Sequence, residues 1–325
     1  MKRPNSKGIL RLAMTLALAA GLSSPAYAWD SFGHMAVAFL AYQKLTPQAQ
    51  QRANDLIKLN PKFSEWSGWV PANTPPADKN MMIFMLAATW PDEIKGAPGY
   101  ITDGSDNGNR PEGSPDPTAN KGYGDMLKHK YWHFVDTPFT TDGTPPPPIP
   151  TPNAQERIAL FRSVLASGSN DALKSYDLTW LLHLVGDVHQ PLHCATRVSS
   201  TDTNGDSGGN AVKVSCTGCP KELHAFWDGL LGADESPQTM LILVIKAAKK
   251  LPAAEPALAA KSGEKDWIAE SFQAAQQAVY KPPVGAGNGP FSLNSAYKKG
   301  AKKLAGKRIA LAGARLANLI NHELK

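Results

Sequence analysis

The stretch from Tyr176 to His193, YDLTWLLHLVGDVHQPLH, is almost wholly apolar, yet it carries His183 and Asp187 four residues apart. On a helix that spacing stacks both side chains on one face. Burying an imidazole beside a carboxylate is costly unless something charged satisfies them. Pro191 ends or kinks the helix and turns His193 back toward the same side. His189 lies roughly 200° round from Asp187, at about 100° per residue, and stays outside the group. One such pair alone reads as a hydrogen bond stiffening a core, but the pattern recurs. LHAFWDGLL sets His224 and Asp228 at the same interval, and KYWHFVDTP sets His133 among aromatics. ATWPDEIKG puts Asp92 just after a helix break, and His34 opens the first helical segment. Imidazole with carboxylate and no thiolate is a donor set for zinc. Five imidazoles and three carboxylates exceed one four-coordinate ion. They imply two or three clustered metals, an arrangement suited to phosphoester hydrolysis.

These residues need elements to hold them. Helical periodicity predicts helices over 33–45, 48–59, 80–88, 153–166, 177–189, 221–230, 239–251, 265–279 and 294–324. Gly, Pro, Asp and Asn enrichment marks long loops at 98–124, 138–152 and 199–210. Residues 212–215 are the one strand-like stretch, read as half of a hairpin. The expected fold is all-α, with long loops walling a cleft and at most a small β-hairpin. No repeat or linker divides the chain, so one domain over 29–325 is expected. The C-terminal segment, basic on one face and apolar on the other, reads as a packing helix with a solvated face rather than a membrane-surface helix.

The first 28 residues have the form of a secretory leader. Lys2, Arg3, Lys7 and Arg11 precede an apolar run from Leu12 to Leu22, and Ala26-Tyr27-Ala28 fits a small-x-small cleavage site. The run is too short for a bilayer, which needs about 20 residues. An exported protein, periplasmic or secreted, is expected, with no membrane span. The chain has 34 basic and 28 acidic residues. Removing the four basic residues of the leader leaves a net charge of +2, so basicity is weak evidence for nucleic-acid binding. Three cysteines, Cys194, Cys216 and Cys219, cannot all pair. Cys216-Thr-Gly-Cys219 suits either a local disulfide in an oxidising compartment or half a zinc site; the disulfide is favoured.

Taken together, WDSFGH, WPDEIK, YWHFVD, HLVGDVHQPLH and GGNAVKV…ELHAFWD, in this order, resemble the motifs of the single-strand-preferring, trinuclear-zinc nucleases of the S1/P1 type. That family shares its all-helical fold with zinc phospholipase C. The resemblance runs from Trp29 to about Leu230, with the C-terminal helices fitting more loosely. It implies that Asp92, His133, His183 and Asp187 hold one zinc. Asp187 then bridges to a second, held also by His34 and by the amino nitrogen and carbonyl oxygen of Trp29. His193, His224 and Asp228 hold a third. The amine becomes available only on cleavage after Ala28, and its pKa of about 8 lets it bind metal near neutral pH.

The resemblance further implies hydrolysis of single-stranded DNA and RNA to 5′-phosphates by a monomer, with 3′-nucleotidase activity on nucleotides. A water shared by two zincs attacks phosphorus, and Asp187 and Asp92 place those ions. Phe134 resembles the ring on which a base stacks, and Asp136 the carboxylate that bonds the base edge. Lys95 and Asn210 are expected phosphate contacts. Two rivals remain: a zinc phospholipase C, which would need a head-group site in place of Phe134 and Asp136, and a non-catalytic zinc-binding protein with closed metal sites.

Overall fold

The computed structural model describes residues 29–105, 110, 112–232 and 235–325; the leader expected over 1–28 lies outside the described residues. Its α-helices are α1 (Ser31–Tyr42), α2 (Pro47–Ile57), α3 (Phe63–Trp69), α4 (Pro76–Ala87), α5 (Trp90–Gly96), α6 (Ala154–Ala166), α7 (Asp171–Asp187), α8 (Leu223–Asp228), α9 (Pro237–Ala248), α10 (Pro256–Ala259), α11 (Glu264–Ala274) and α12 (Ser295–Glu323). Side-chain caps set many of the starts. Asp30, Thr46, Asn170, Ser236 and Asn294 each accept from a backbone N–H of their first turn. Asn153 and Glu156 form a reciprocal capping box on α6.

Several helices begin earlier than periodicity indicates, because caps rather than apolar spacing fix the start. α7 opens at Asp171 behind the Asn170 cap. Pro91, expected to mark a break, sits in the first turn of α5, where its missing N–H costs nothing. Asp92 is therefore helical. α3, α5 and α10 are too short to display a period, and sequence reading passes over them.

From Ser175 to Asp187 every residue of α7 is buried. A helix without a solvated face must be enclosed. α1, α2, α5, α6 and α12 surround it, and α1 is itself held between α4, α9 and α12. The C-terminal segment is a packing helix, as expected: Ile309, Ala312, Leu316, Ala317 and Ile320 of α12 join the main core. Gly313 allows α12 to lie close on α1, since a Cβ there would stand 2.6 Å from Leu40 Cβ and 3.1 Å from the Val37 carbonyl oxygen. Among the described residues, no helix is long and apolar enough to cross a membrane.

Two short parallel pairs stand beside the expected turn-back of residues 212–215. β1 (Pro138–Thr140) pairs in parallel with β2 (Thr196–Val198), and β3 (Val214–Ser215) in parallel with β4 (Phe291–Ser292). Residues 212–215 do turn back, through a Cys216–Cys219 disulfide, to an isolated antiparallel bridge between Lys213 and Glu222. Their ladder partner nonetheless comes from far along the chain, and local pattern carries no signal for parallel pairing. A second apolar cluster, including Leu192, Val212, Leu223 and Trp227, lies beneath these strands and α8.

Gly313→Val is expected to force α12 away from α1 and lower stability by about 1–3 kcal/mol. Thermal denaturation measures it; an unchanged midpoint would show that the contact yields freely.

Candidate metal centre

Two glycines bring the first turn of α1 onto α7. A Cβ on Gly186 would stand 2.9 Å from His34 Nδ1, and one on Gly33 would stand 2.6 Å from Trp29 Cβ. Gly33 is helical, so it supplies room for Trp29 rather than a turn. Trp29 is wholly buried and donates its Nε1–H to the Gly186 carbonyl at 3.0 Å. α5 presents Asp92, and a 3-10 turn (Lys130–Trp132) leads into His133. The last turns of α7 present His183 and Asp187, the turn at Pro191–Cys194 presents His193, and α8 presents His224 and Asp228.

All eight expected side-chain ligands converge, and all are buried. They form three donor groups, the first two sharing His183: His34, His183 and Asp187; Asp92, His133 and His183; and His193, His224 and Asp228. Asp187 faces two ways. Its Oδ1 lies 3.3 Å from His34 Nε2, and its Oδ2 lies 3.1 Å from His133 Nδ1 and 3.2 Å from His183 Nε2. His183 Nε2 is 3.6 Å from Asp92 Oδ1, and His224 Nε2 is 3.5 Å from Asp228 Oδ2.

Outer contacts set which nitrogen of each ring points inward. His183 Nδ1 donates to the Ala88 carbonyl at 2.8 Å, His193 Nδ1 to His133 O at 2.7 Å, and His224 Nδ1 to Gly208 O at 2.7 Å. With Nδ1 protonated in this way, a neutral ring carries its lone pair on Nε2. The His193 and His224 Nε2 atoms then face each other at 3.1 Å. Two lone pairs at that distance repel unless a cation lies between them. A proton is disfavoured there: burial, then the neighbouring His193, holds His224 down at about 3, and burial lowers His193 as well. Among the described residues, both ring nitrogens of His34, His133 Nε2, Asp92 Oδ2 and Asp187 Oδ1 have no hydrogen-bond partner. Buried orphan donors and acceptors of these types fit metal ligation.

The charges agree. Burial works to raise Asp92, but Lys95 and three imidazoles hold it well below the usual carboxylate range. Burial likewise opposes ionisation of Asp187, and His183 and His193 outweigh it. Asp228, accepting from Gln190 Nε2 at 2.8 Å, lacks such cations, and burial pushes its carboxyl well above the usual range. A metal ion at the third group would supply the missing positive charge.

Beside these groups lies a cleft lined by Lys95, Lys130, Phe134, Asp136, Ser207 and Asn210, together with His133, His193 and His224. Lys95 Nζ is 2.8 Å from Asp92 Oδ1, so it is tied to a donor-group carboxylate as well as facing the cleft. Asn210 is oriented by its Nδ2–H bond to the Ser207 carbonyl at 2.8 Å. The backbone here is strained into the left-handed region at Asp136 (φ 51°) and at Ser207, Gly208 and Gly209 (φ 51°, 60° and 83°). The turn aims the Gly208 carbonyl at His224, and a Cβ on Gly208 would stand 2.6 Å from Leu192 O.

The motifs contain Gln190 (HLVGDVHQPLH), Lys130 (KYWHFVDTP) and Gly208 (GGN), and Ser207 adjoins the last, but spacing alone assigns none of the four a role. Nor does it single out His129. That ring is clamped between Asp103 (Nδ1, 2.8 Å) and Asp125 (Nε2, 2.9 Å) and stacks on Trp132 at 3.4 Å, pinning the 98–124 loop beside His133. His189 lies outside the metal groups, as expected; its Nε2 meets Arg315 Nη1 at 3.0 Å. Cys194 is buried and unpaired, while Cys216 and Cys219 form the disulfide.

An all-helical fold wrapped round three sets of imidazole and carboxylate donors defines a protein able to hold clustered metal ions. The family model described as S1/P1 Nuclease matches residues 29–325, and the chain belongs to that family. It is similar to "Nuclease S1" of Aspergillus oryzae (strain ATCC 42149 / RIB 40), with 32% identity over 71 residues, 22% of each chain. It is also similar to "Endonuclease 4" of Arabidopsis thaliana, with 36% identity over 70 residues, 20% of this chain and 21% of the relative. "Endonuclease 5" of the same plant is 37% identical over 70 residues, in the same proportions. The matched stretches thus span about a fifth of these curated relatives.

The metal-free protein is expected to lose stability as pH falls from about 6.5 toward 4. Burial first holds His34 at about 4 and His133 and His224 at about 3, and it lowers His193 too. Across that window the unfolded chain takes protons that these folded imidazoles refuse, so acid favours unfolding. His183 and Asp228, both raised, act in the opposite sense but are outnumbered. Thermal midpoints of chelator-treated protein between pH 4 and 7 measure this. A midpoint that rises toward acid would contradict the assigned environments.

Proposed function

We propose that this protein is a zinc-dependent phosphodiesterase that cleaves single-stranded DNA and RNA to 5′-phosphate products and also removes 3′-phosphates from nucleotides. The observation that carries the reading is the cleft itself. An aromatic ring, a carboxylate, two lysines and an asparagine border three donor groups that fit metal ions. Membership of the S1/P1 nuclease family supports the same assignment. We further infer a cleavable leader over 1–28, export to the periplasm or beyond, one catalytic domain over 29–325, and action as a monomer.

Asp92, His133, His183 and Asp187 would hold one zinc; Asp187, His34 and the amine and carbonyl of Trp29 a second; His193, His224 and Asp228 a third. When bound, these ions supply Lewis acidity toward phosphate oxygens and acidify a water for attack on phosphorus. The protein's part is placement. Asp187 ties two donor groups together through its separate oxygens. Lys95 and Asn210 offer donors to the non-bridging phosphate oxygens from opposite parts of the chain. Phe134, half-buried beside His133, presents a ring to a base, and Asp136 an acceptor to that base's edge. Stacking accepts any base but needs it unpaired, which favours single strands.

The deciding experiment measures zinc content of the leader-free protein. Alongside, single- and double-stranded DNA, RNA and phosphatidylcholine are digested with and without chelator. Chelator-sensitive hydrolysis of single strands supports the proposal. Release of phosphocholine alone would make the protein a phospholipase, and full zinc with no hydrolysis would make it a binding protein.

Phe134→Ala is expected to weaken single-strand binding by about 1–3 kcal/mol per stacked base, with zinc content retained. Loss of zinc or of the fold instead would assign Phe134 to packing. A protein retaining Ala28 or an added Met before Trp29 is expected to lose one zinc selectively, together with most activity. The extension converts the amine into a peptide nitrogen, which has no basic lone pair to give. Equal zinc stoichiometry and equal rates for extended and trimmed forms would remove Trp29 from the ligand set.

A further inference from the structure

Apart from the metal cleft, the structure holds a groove of about 890 Å³ between α9 and α12, within the range of small-molecule sites. Its floor is aliphatic, made of Leu231, Leu243, Ala247, Leu251 and Pro252, with Phe32 at one end. Lys246 of α9, Lys250 just past its end, and Lys302, Lys303 and Lys307 of α12 line its sides, against one acid among the described lining residues, Glu235. All five lysines are exposed, and none forms an ion pair with a described residue. Lysine stems extend along apolar surface and leave the ammonium groups at its edge. The groove therefore offers an oily trough under a ring of uncompensated positive charge.

We propose that this groove binds a free, single-chain anionic amphiphile of the fatty-acid type. The apolar floor accepts the chain, and the lysines accept the carboxylate. Other occupants fit less well. A nucleic-acid strand needs rings on which bases stack, whereas Phe32, the only aromatic lining residue, is 4% exposed. The leader is itself basic, with four cationic residues and no acidic one. A second copy would bring the same positive ring against this one. A membrane surface calls for protruding apolar residues, and here the apolar surface is concave; of the two exposed large apolar residues of α9, Ile242 and Leu243, the second lines the groove itself.

The site is separate from the metal centre, so its test does not depend on nuclease activity. Displacement of bound anilinonaphthalene sulfonate is followed with laurate, with dodecyl maltoside below its micellar concentration, and with acetate. A phosphorothioate oligothymidylate and anionic phospholipid vesicles complete the comparison. Laurate is expected to displace the probe at micromolar concentration, and the chainless anion and the neutral detergent at least tenfold less well. The double variant Lys250→Glu/Lys303→Glu is expected to weaken laurate about tenfold while keeping the wild-type thermal midpoint. Leu243→Asp, also at an exposed position, is expected to weaken it similarly through the floor. Displacement by dodecyl maltoside equal to that by laurate, or laurate binding indifferent to both variants, would overturn the proposal. So would stronger displacement by the oligonucleotide, or vesicle binding without laurate binding.

Discussion

The Asp187 carboxylate is the constraint round which the molecule is arranged. It is wholly buried, and it lies at the C-terminal end of α7, where the helix dipole is already negative. Both circumstances oppose an anion and favour cations. The protein keeps the group ionised by gathering imidazoles round it: His133 and His183 on one oxygen, His34 on the other, and His193 at 4.0 Å. Such an assembly is stable only in a dry, rigid surround, and the enclosure of α7 by α1, α2, α5, α6 and α12 provides it. The same enclosure makes a place where divalent cations could satisfy groups that have no hydrogen-bond partner among the described residues.

Geometry at the centre is set one layer further out. Backbone carbonyls of Ala88, His133 and Gly208 each accept an Nδ1–H, so His183, His193 and His224 present the same nitrogen inward. Gly208 can do this only because residues 207–209 adopt left-handed backbone, a conformation natural to glycine and strained for Ser207. Asp206 holds that turn from within, accepting from the backbone N–H groups of Arg197 and Gly209 and from Tyr280 OH. The irregular segments are thus as ordered by hydrogen bonds as the helices, and they wall the cleft.

The two concavities differ in kind although they share elements. Phe32 lines the aliphatic groove and lies two residues before His34 of the first donor group. Leu231 lines it three residues after Asp228 of the third donor group. Ring and backbone meet at Gly232, where a Cβ would stand 2.4 Å from Phe32. One side of α1 therefore serves a polar, metal-type site and the other an apolar trough.

By itself the sequence determined the chemistry of the donors and the helical class. His183 with Asp187 and His224 with Asp228 declare themselves because a four-residue interval on a helix fixes a shared face, and because apolar neighbours declare burial. The long helices were legible for the same reason of period, and Cys216 with Cys219 by proximity. Tertiary structure alone decided the rest. It placed Lys130 and Ser207 in the cleft and chose the Ala88 and Gly208 carbonyls as partners for the imidazoles. It paired strands in parallel across 58 and 77 residues. It also made Gly33 the space in which Trp29 packs. None of these leaves a local trace, because each depends on contacts between segments far apart in the chain, and side-chain period records only which face is buried, not what it meets.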